Sequence, residues 1–211
     1  MSRVVLIGYS GHALVVADLL LHHQHEVLGY FDKSEKENNP YRFIFLGTEE
    51  DTAVLKTYAV EKNQYCLGLG DNQLRKKVDE QLSIFPWRSI SLTHPSATVA
   101  SKVKMGEGVL VCAGAIINPL VEMGRACIIN TGSIVEHECR LGDYVHIAPG
   151  AVLAGNVSVG DATFIGANAT IKQGVRIGYN AIIGAGAVVL KDVPNNQTWV
   201  GNPARHIANQ V

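Results

Sequence analysis

Residues 129–153 read INTGSIVEHECRLGDYVHIAPGAVL, and every sixth residue of this stretch, beginning with Ile129, is aliphatic. The spacing extends in both directions without a gap, from Val99 to Val189, over sixteen aliphatic or Met positions. A second register of mostly small or β-branched residues runs four residues behind it, from Val103 to Ala187. Hexapeptide repeats of this kind build solenoids of short parallel strands. The repeat therefore predicts one architecture for nearly half of the chain.

A period of eighteen residues is superimposed on the period of six. Glycine follows the aliphatic residue at Gly106, Gly124, Gly142, Gly160 and Gly178. Three hexads per turn predict a triangular coil of about five turns, with glycine at one corner because a positive φ angle costs glycine least. No hexad is interrupted, so we expect no long loop to leave the coil. Any wall of an active site then comes from the first domain or from another subunit.

The residues in front of the repeat have the pattern of a βαβ unit. Arg3–Ile7 predicts a buried strand, Ala13–Leu21 a helix and Glu26–Phe31 a second strand. The segment Gly8–His12 forms a glycine turn at the helix N-terminus, which suits a diphosphate through free backbone N–H groups and the helix dipole. Asp32 ends the second strand, where an acidic residue can reach a ribose hydroxyl. A tight turn in a small α/β domain is the alternative interpretation.

The first domain continues with further predicted elements. They are a strand at 65–69, a helix at 73–82 capped by Asp71 or Asn72, and a short strand at 89–92. We expect the glycine turn and Gly70 to lie side by side at the carboxyl edge of a parallel sheet, where ligands bind. The chain is accordingly divided into a Rossmann-like α/β domain, residues 1–93, and a β-helix domain with a C-terminal tail, residues 94–211.

Composition excludes several classes of partner. The net charge is −1 and there is no basic run, so nucleic acid and anionic membranes are poor partners. The four cysteines form no CxxC pair and are expected to be buried structural thiols. The first residues lack a signal-peptide pattern, and no apolar segment reaches membrane-spanning length. We therefore expect a cytoplasmic protein.

His137 is the histidine that the repeat places most informatively. It follows Val135 by two residues at a corner, and its neighbours one coil away are Pro119 and Gly155. Gly155 is expected to leave open space beside the imidazole. The adjacent Glu138 can orient the ring and raise its basicity, which suits a general base. An exposed corner residue without a catalytic role is the alternative.

His146 comes nine residues after His137, which is half of a coil. The two histidines therefore lie on different corners of one chain and can share a site only across a subunit boundary. This predicts three prisms packed about a threefold axis. Ala167 and Ala185 form a corner column whose small side chains expose backbone amides. The groove along this column is long enough for a pantetheine arm.

Motifs along the whole chain carry a family resemblance. They are IGYSGHA at 7–13, GLGDNQLRKKV at 68–78, THPSA at 93–97, INTGSIVEHEC at 129–139, GDYVHIAPGAVLAGNV at 142–157 and VGNPARHI at 200–207. The chain resembles the sugar O-/N-acyltransferase family of hexapeptide-repeat transferases, especially bacterial UDP-4-amino-sugar N-acetyltransferases of glycan biosynthesis. The resemblance implies a left-handed parallel β-helix, acetyl-CoA as co-substrate, no metal, and acetylation of the 4-amino group of a nucleotide-linked sugar.

The resemblance also implies roles for individual residues. The nucleotide sugar would be held by Ser10, Gly11, His12, Asp32, Lys33 and Gly70. His137 would be the catalytic base, with Glu138 enhancing it. The acetyl-CoA site would comprise His146, Ala167, Ala185 and Gly155, together with Asn130, which positions the acetyl group or the acceptor.

Other functions are compatible with the same fold. O-acetylation of sialic acid or another sugar is one alternative, and a non-catalytic nucleotide-sugar-binding module is another. A β-helix can also carry a zinc carbonic anhydrase, but that chemistry needs three histidine ligands and only two histidines lie on the β-helix proper. We favour a homotrimeric N-acetyltransferase with active sites between subunits.

Overall fold

The computed structural model describes residues 2–207. The chain forms two compact units, of which the first ends at Leu92 and the second begins at Thr93. Among the described residues, no helix has both the length and the apolar character needed to cross a bilayer.

The first unit is an α/β domain built on one parallel sheet. Its strands are β1 (Arg3–Ile7), β2 (Glu26–Phe31), β3 (Phe45–Gly47), β4 (Asn63–Leu67) and β5 (Arg88–Ser89), and its helices are α1 (Gly11–His22), α2 (Thr52–Tyr58) and α3 (Asn72–Leu82). The strand order is β3-β2-β1-β4-β5, and all pairings are parallel. The central strand β1 is buried from Val4 to Ile7, as expected for a sheet in an α/β domain. The predicted Rossmann-like class is confirmed.

Some predicted elements of this unit have different bounds. Strand β4 begins and ends two residues earlier than the predicted 65–69. Beyond its end, the carbonyls of Leu69 and Gly70 accept from the guanidinium of Arg75 at 3.2 and 3.1 Å. The predicted strand at 89–92 is two separate strands, since β5 ends at Ser89 and another begins at Leu92.

Strand β3 and helix α2 are absent from the sequence-based prediction. Strand β3 is only three residues long and pairs at the edge of the sheet, so it leaves almost no periodic signal. Helix α2 does carry an N-terminal signal, because the carboxylate of Asp51 accepts hydrogen bonds from the N–H groups of Ala53 and Val54, each at 3.1 Å. Asp71 caps α3 in the same way by accepting from the N–H of Leu74 at 2.7 Å.

The second unit is the predicted left-handed parallel β-helix, and its first strand begins at Leu92, the last residue of the first unit. Its strands are β6 (Leu92–Thr93), β7 (Thr98–Val99), β8 (Lys104–Met105), β9 (Leu110–Val111), β10 (Ile116–Ile117), β11 (Glu122–Met123), β12 (Ile128–Ile129), β13 (Ile134–Val135), β14 (Arg140–Leu141), β15 (His146–Ile147), β16 (Val152–Leu153), β17 (Ser158–Val159), β18 (Phe164–Ile165), β19 (Thr170–Ile171), β20 (Arg176–Ile177), β21 (Ile182–Ile183), β22 (Val188–Val189), β23 (Thr198–Val200) and β24 (Arg205–Ile207).

These strands form three sheets, one for each side of the prism. The first sheet contains β7, β10, β13, β16, β19 and β22, and the second contains β8, β11, β14, β17 and β20. The third contains β6, β9, β12, β15, β18, β21, β23 and β24. Paired residues in the coils are eighteen apart, as in Ile117 with Val135 and His146 with Phe164. The predicted period of eighteen is therefore the rise from one coil to the next.

The interior of the prism is filled by the two registers that the sequence displays. Ile117, Val135 and Leu153 of the aliphatic register are fully buried, and so are Ala151 and Ala169 of the small register. Burial of one large aliphatic side chain contributes about 1.5–3 kcal/mol. A ladder of such residues therefore supplies the cohesion that two-residue strands lack individually.

The corner glycines have a different cause from the one expected. Left-handed φ angles recur every six residues at the corners, but they fall on residues such as Ala126, Tyr144 and Glu138, and the φ of Gly142 is not left-handed. A Cβ on Gly142 would meet the backbone N of Asp161 at 2.8 Å. These glycines therefore let one coil approach the next, and the expectation of positive φ at them was wrong.

Candidate functional site

The glycine turn of the first unit opens into a pocket at the start of α1. Gly8 has φ of +83°, and α1 begins at Gly11 after the N-cap Ser10, whose side chain caps no backbone N–H. A pocket of about 300 Å³ is lined by Tyr9, Ser10, Gly11, Leu14, Lys36, Glu37 and Asn38. Backbone N–H groups at a helix start attract anions. The pocket therefore joins the helix start, whose N–H groups favour an anion, to a wall formed by residues of the loop after β2.

The second glycine-bearing strand end lies beside the first, as expected. The N–H of Gly68 donates to the carbonyl of Ile7 at 2.7 Å, and a Cβ on Gly70 would lie 3.5 Å from the Cβ of His12. Burial and the positive charge of Arg75 lower the pKa of His12 from 6.5 to about 4. His12 is therefore a neutral imidazole at the carboxyl edge of the sheet at neutral pH.

Arg75 is a residue of this edge that the sequence analysis missed. It is 1% exposed, and its guanidinium donates to the carbonyls of Leu69 and Gly70 and to the amide oxygen of Asn72. It thereby fixes the backbone at Gly70. Its sequence context, QLRKKV, contains three consecutive cations, and nothing in it distinguishes the buried one.

Asp32 and Lys33 do not line the pocket. The Asp32 carboxylate accepts hydrogen bonds from the N–H groups of Tyr9 and Lys33, both at 2.7 Å, and pairs with the Lys36 ammonium at 2.8 Å. Burial alone would raise the pKa of Asp32, but these hydrogen bonds and the charge of Lys36 lower it overall. Asp32 thus ties the glycine turn to the loop after β2, and its carboxylate already has three donors within the protein.

In the second unit, His137 lies at the corner between β13 and β14. Its Nδ1 is 3.0 Å from Oε2 of Glu138, and the two side chains are 52% and 55% exposed. The backbone N–H of His137 donates to a carboxylate oxygen of Glu136 at 3.3 Å. A Cβ on Gly155 would lie 2.7 Å from Nε2 of His137. Gly155 therefore keeps free the space beside Nε2, and Glu138 fixes the opposite side of the ring.

His146 lies in strand β15 on the third sheet rather than at a corner. Its ring is 8% exposed and meets the ring of Phe164 edge-on at 5.1 Å. The amide oxygen of Asn130 accepts from the N–H of Thr131 at 2.8 Å, which directs the amide nitrogen towards Nε2 of His146 at 3.1 Å. The amide nitrogen is the donor in that contact, so Nε2 of His146 is the acceptor.

Ala167 and Ala185 occupy the corner between the third and first sheets. Ala185 is exposed and Ala167 is partly buried. The carbonyl of Ala167 accepts from the N–H of Gly186 at 2.8 Å. Within residues 2–207, no hydrogen bond has the N–H of Ala167 or Ala185 as its donor. These amides are therefore available at the corner, as the sequence analysis expected.

The cysteines are buried and free, as expected for structural thiols. Burial raises the pKa of both Cys112 and Cys139 to about 11. The thiol of Cys139 donates to the carbonyl of Ala154 at 3.2 Å. A thiol in this state is protonated at neutral pH and is a poor nucleophile, so it is not a candidate for covalent catalysis.

Comparisons with known proteins match both units. Family models match residues 3–82 as "PglD N-terminal domain", residues 121–155 as "Bacterial transferase hexapeptide (six repeats)" and residues 156–191 as "Hexapeptide repeat of succinyl-transferase". The UDP-N-acetylbacillosamine N-acetyltransferase of Bacillus subtilis (strain 168) is 32% identical over 114 residues, which is 54% of this chain and 52% of that protein. The chain therefore aligns with about half the length of this curated relative.

Solved structures match over nearly the whole chain. PerB from Caulobacter crescentus, in complex with CoA and GDP-perosamine, is 35% identical with a TM-score of 0.89 and covers 99% of this chain and 98% of that one. The acetyltransferase domain of PglB from Neisseria gonorrhoeae FA1090, in complex with acetyl coenzyme A, is 30% identical with a TM-score of 0.91, covering 97% and 98%.

A Rossmann-like domain followed by a β-helix with a carboxylate-paired corner histidine defines a hexapeptide-repeat acyltransferase. The chain belongs to the sugar O-/N-acyltransferase family, and its relatives among solved structures include the perosamine N-acetyltransferase from Caulobacter crescentus. It is an acetyltransferase of this family.

Proposed function

We propose that this enzyme transfers the acetyl group of acetyl-CoA to the 4-amino group of a UDP-linked amino sugar in bacterial glycan biosynthesis. The observation that carries the proposal is the corner histidine, with Glu138 3.0 Å from Nδ1 and the space of Gly155 beside Nε2. The relatives support the substrate classes, because one is named for a UDP-linked sugar and others are bound to CoA or acetyl-CoA. We place the reaction in the cytoplasm as part of this proposal.

His137 is the proposed general base. A hydrogen on Nδ1 is donated to the carboxylate of Glu138, which leaves the lone pair of Nε2 to accept a proton. The sugar amine attacks the thioester carbonyl carbon while Nε2 of His137 removes one of its protons. The C–S bond then breaks, and CoA leaves as the thiolate. No covalent enzyme intermediate is required.

The acetyl-CoA side of the site is proposed to include His146, Asn130, Ala167 and Ala185. The available N–H groups of Ala167 and Ala185 can donate to polar groups of the pantetheine arm. A backbone N–H of the coil is the proposed donor to the developing oxyanion. The amide of Asn130 holds His146 in one orientation, so that ring can serve as a fixed wall of the acetyl site.

A homotrimer is proposed because the two histidines lie on different sides of the prism. His137 is at the corner between the first and second sheets, whereas His146 is on the third. The outward residues of the first sheet include Ile116, Ile134 and Val152, while the second presents the ion pair of Lys104 and Glu122. An aliphatic side of this kind suits packing against another copy.

A thiol-release assay tests the proposal. Wild-type protein with acetyl-CoA and a UDP-4-amino sugar should release CoA. The rates of release with GDP- and dTDP-linked 4-amino sugars show which nucleotide the enzyme prefers. We expect His137→Ala to lower kcat by roughly 10²–10⁴-fold, whereas His23→Ala, at an exposed histidine after α1, should behave as wild type. Near-wild-type turnover by His137→Ala would contradict the assignment of the base, and absence of thiol release with every acceptor would contradict the reaction.

A further inference from the structure

The loop that follows β2 is held in place by two residues, Lys36 and Asn39, which lie on either side of Glu37 and Asn38. The backbone N–H of Lys36 donates to the hydroxyl of Tyr30 at 2.8 Å. The side-chain ammonium of Lys36 pairs with the carboxylate of Asp32 at 2.8 Å. The amide oxygen of Asn39 accepts from the hydroxyl of Tyr9 at 2.9 Å and from the N–H of Phe43 at 3.0 Å. The loop therefore has a defined position relative to the glycine turn.

Glu37 and Asn38 lie between these anchors. Both line the pocket at the start of α1 together with Ser10 and Gly11. In the part of the chain that the structure describes, no hydrogen bond or ion pair involves either side chain. Both residues are exposed and lie beside the pocket on a backbone held by Lys36 and Asn39, so the carboxylate and the amide are not used in contacts within the described part of the protein.

The carboxylate of Glu37 has the chemistry that a ribose requires. A vicinal diol presents two O–H donors, and an ionised carboxylate has two oxygens that accept them. Asp32 is the residue that strand position suggests for this contact, but it already accepts from Tyr9, Lys33 and Lys36. In the pocket, Glu37 is the carboxylate whose oxygens are not committed to the protein.

We propose that Glu37 binds the 2′- and 3′-hydroxyls of the ribose of the nucleotide substrate, and that the bonds of Lys36 and Asn39 position it. This inference rests on the proposed function in taking a nucleotide as the occupant, but it does not depend on the base. The helix start at Ser10 and Gly11 receives the diphosphate in this arrangement. Glu37 then selects ribonucleotides over nucleotides that lack the diol.

The test measures equilibrium binding of UDP and of 2′,3′-dideoxy-UDP by calorimetry, with GDP and its dideoxy counterpart beside them. Wild type should prefer the ribonucleotide by roughly ten- to a hundredfold, because hydrogen bonds to a charged group are the strong ones. Glu37→Ala should reduce this preference to within about twofold and leave the affinity for the dideoxy ligand unchanged. Glu35→Ala, at an exposed glutamate of the same loop outside the pocket, should retain the wild-type preference.

The results separate this inference from the proposed function. An unchanged preference in Glu37→Ala, or an equal loss of affinity for both members of a pair, would overturn the role of Glu37 alone. Failure of wild type to bind any of the four nucleotides would overturn it together with the nucleotide part of the proposed function. Binding of GDP and its dideoxy counterpart alone would show that the nucleotide base is guanine and not uracil. The preference for the ribonucleotide in wild type and in Glu37→Ala would still test the role of Glu37.

Discussion

The surroundings of His137 are set by local spacing along the chain. Glu138 is its neighbour in the chain, and Gly155 is one coil away, so a period of eighteen was sufficient to bring all three together. Asp32 could not be interpreted in the same way. Its contacts with Tyr9 and Lys36 depend on how a loop returns to the glycine turn, and no periodicity describes that return.

The low pKa of His12 predicts that the free energy of unfolding depends on pH. Its pKa is about 4 in the folded protein against 6.5 for an ordinary histidine. The unfolded chain therefore takes up a proton as the pH falls through 6.5, whereas the folded protein does not until about pH 4. Stability should be complete above pH 6.5 and should decrease between pH 6.5 and 4, by about 3 kcal/mol for this group.

Urea unfolding of wild type and His12→Gln at several pH values between 7.5 and 4 measures this contribution. The variant should lose less stability than wild type over that range, by about the amount given above. His23→Gln, at an exposed histidine, provides the matched control and should follow the wild-type curve. Parallel curves for wild type and His12→Gln would show that His12 does not carry the dependence.

At the scale of the element, one corner of the coil could be located from sequence but not explained from it. The glycines at positions such as 142 do mark a corner, and the left-handed residue is two positions further on, at Tyr144. The same conformation falls on Glu138 beside His137. The spacing shows that glycine recurs at this corner. Why glycine is needed there depends on the distance between neighbouring coils, which only the three-dimensional structure gives.

Two alanine substitutions separate the two reasons for glycine in this fold. Gly174 has φ of +72° and open space around its missing Cβ, so Gly174→Ala should cost about 1 kcal/mol through backbone strain. Gly142→Ala would bring a Cβ against the backbone of Asp161, and we expect about 3 kcal/mol because two coils must separate. Thermal unfolding midpoints measure the difference. Equal losses in the two variants would contradict the packing explanation.

At the scale of the molecule, the fold was predictable because its information is repeated. Each coil repeats the same pattern of buried aliphatic and small residues. Misreading one position therefore does not change the fold that the sequence predicts. The first unit has no such redundancy, and β3 and α2 were missed there. The pocket wall at Glu37 belongs to that unit, which is why Glu37 could not be singled out from the sequence whereas Ser10 and Gly11 could.

Subunit mixing tests the assembly that the two histidines imply. If each active site takes His137 from one subunit and His146 from the next, His137→Ala and His146→Ala homotrimers should both be strongly impaired. Mixed trimers that contain both variants should recover about a third of wild-type turnover, because each of them, with two copies of one variant and one of the other, has both intact histidines at one of its three sites. Differently tagged chains, co-expressed and purified through both tags in succession, provide the mixed species for the thiol-release assay. A site contained within one chain would give no recovery in the mixture, since every subunit would then lack one of its own two histidines.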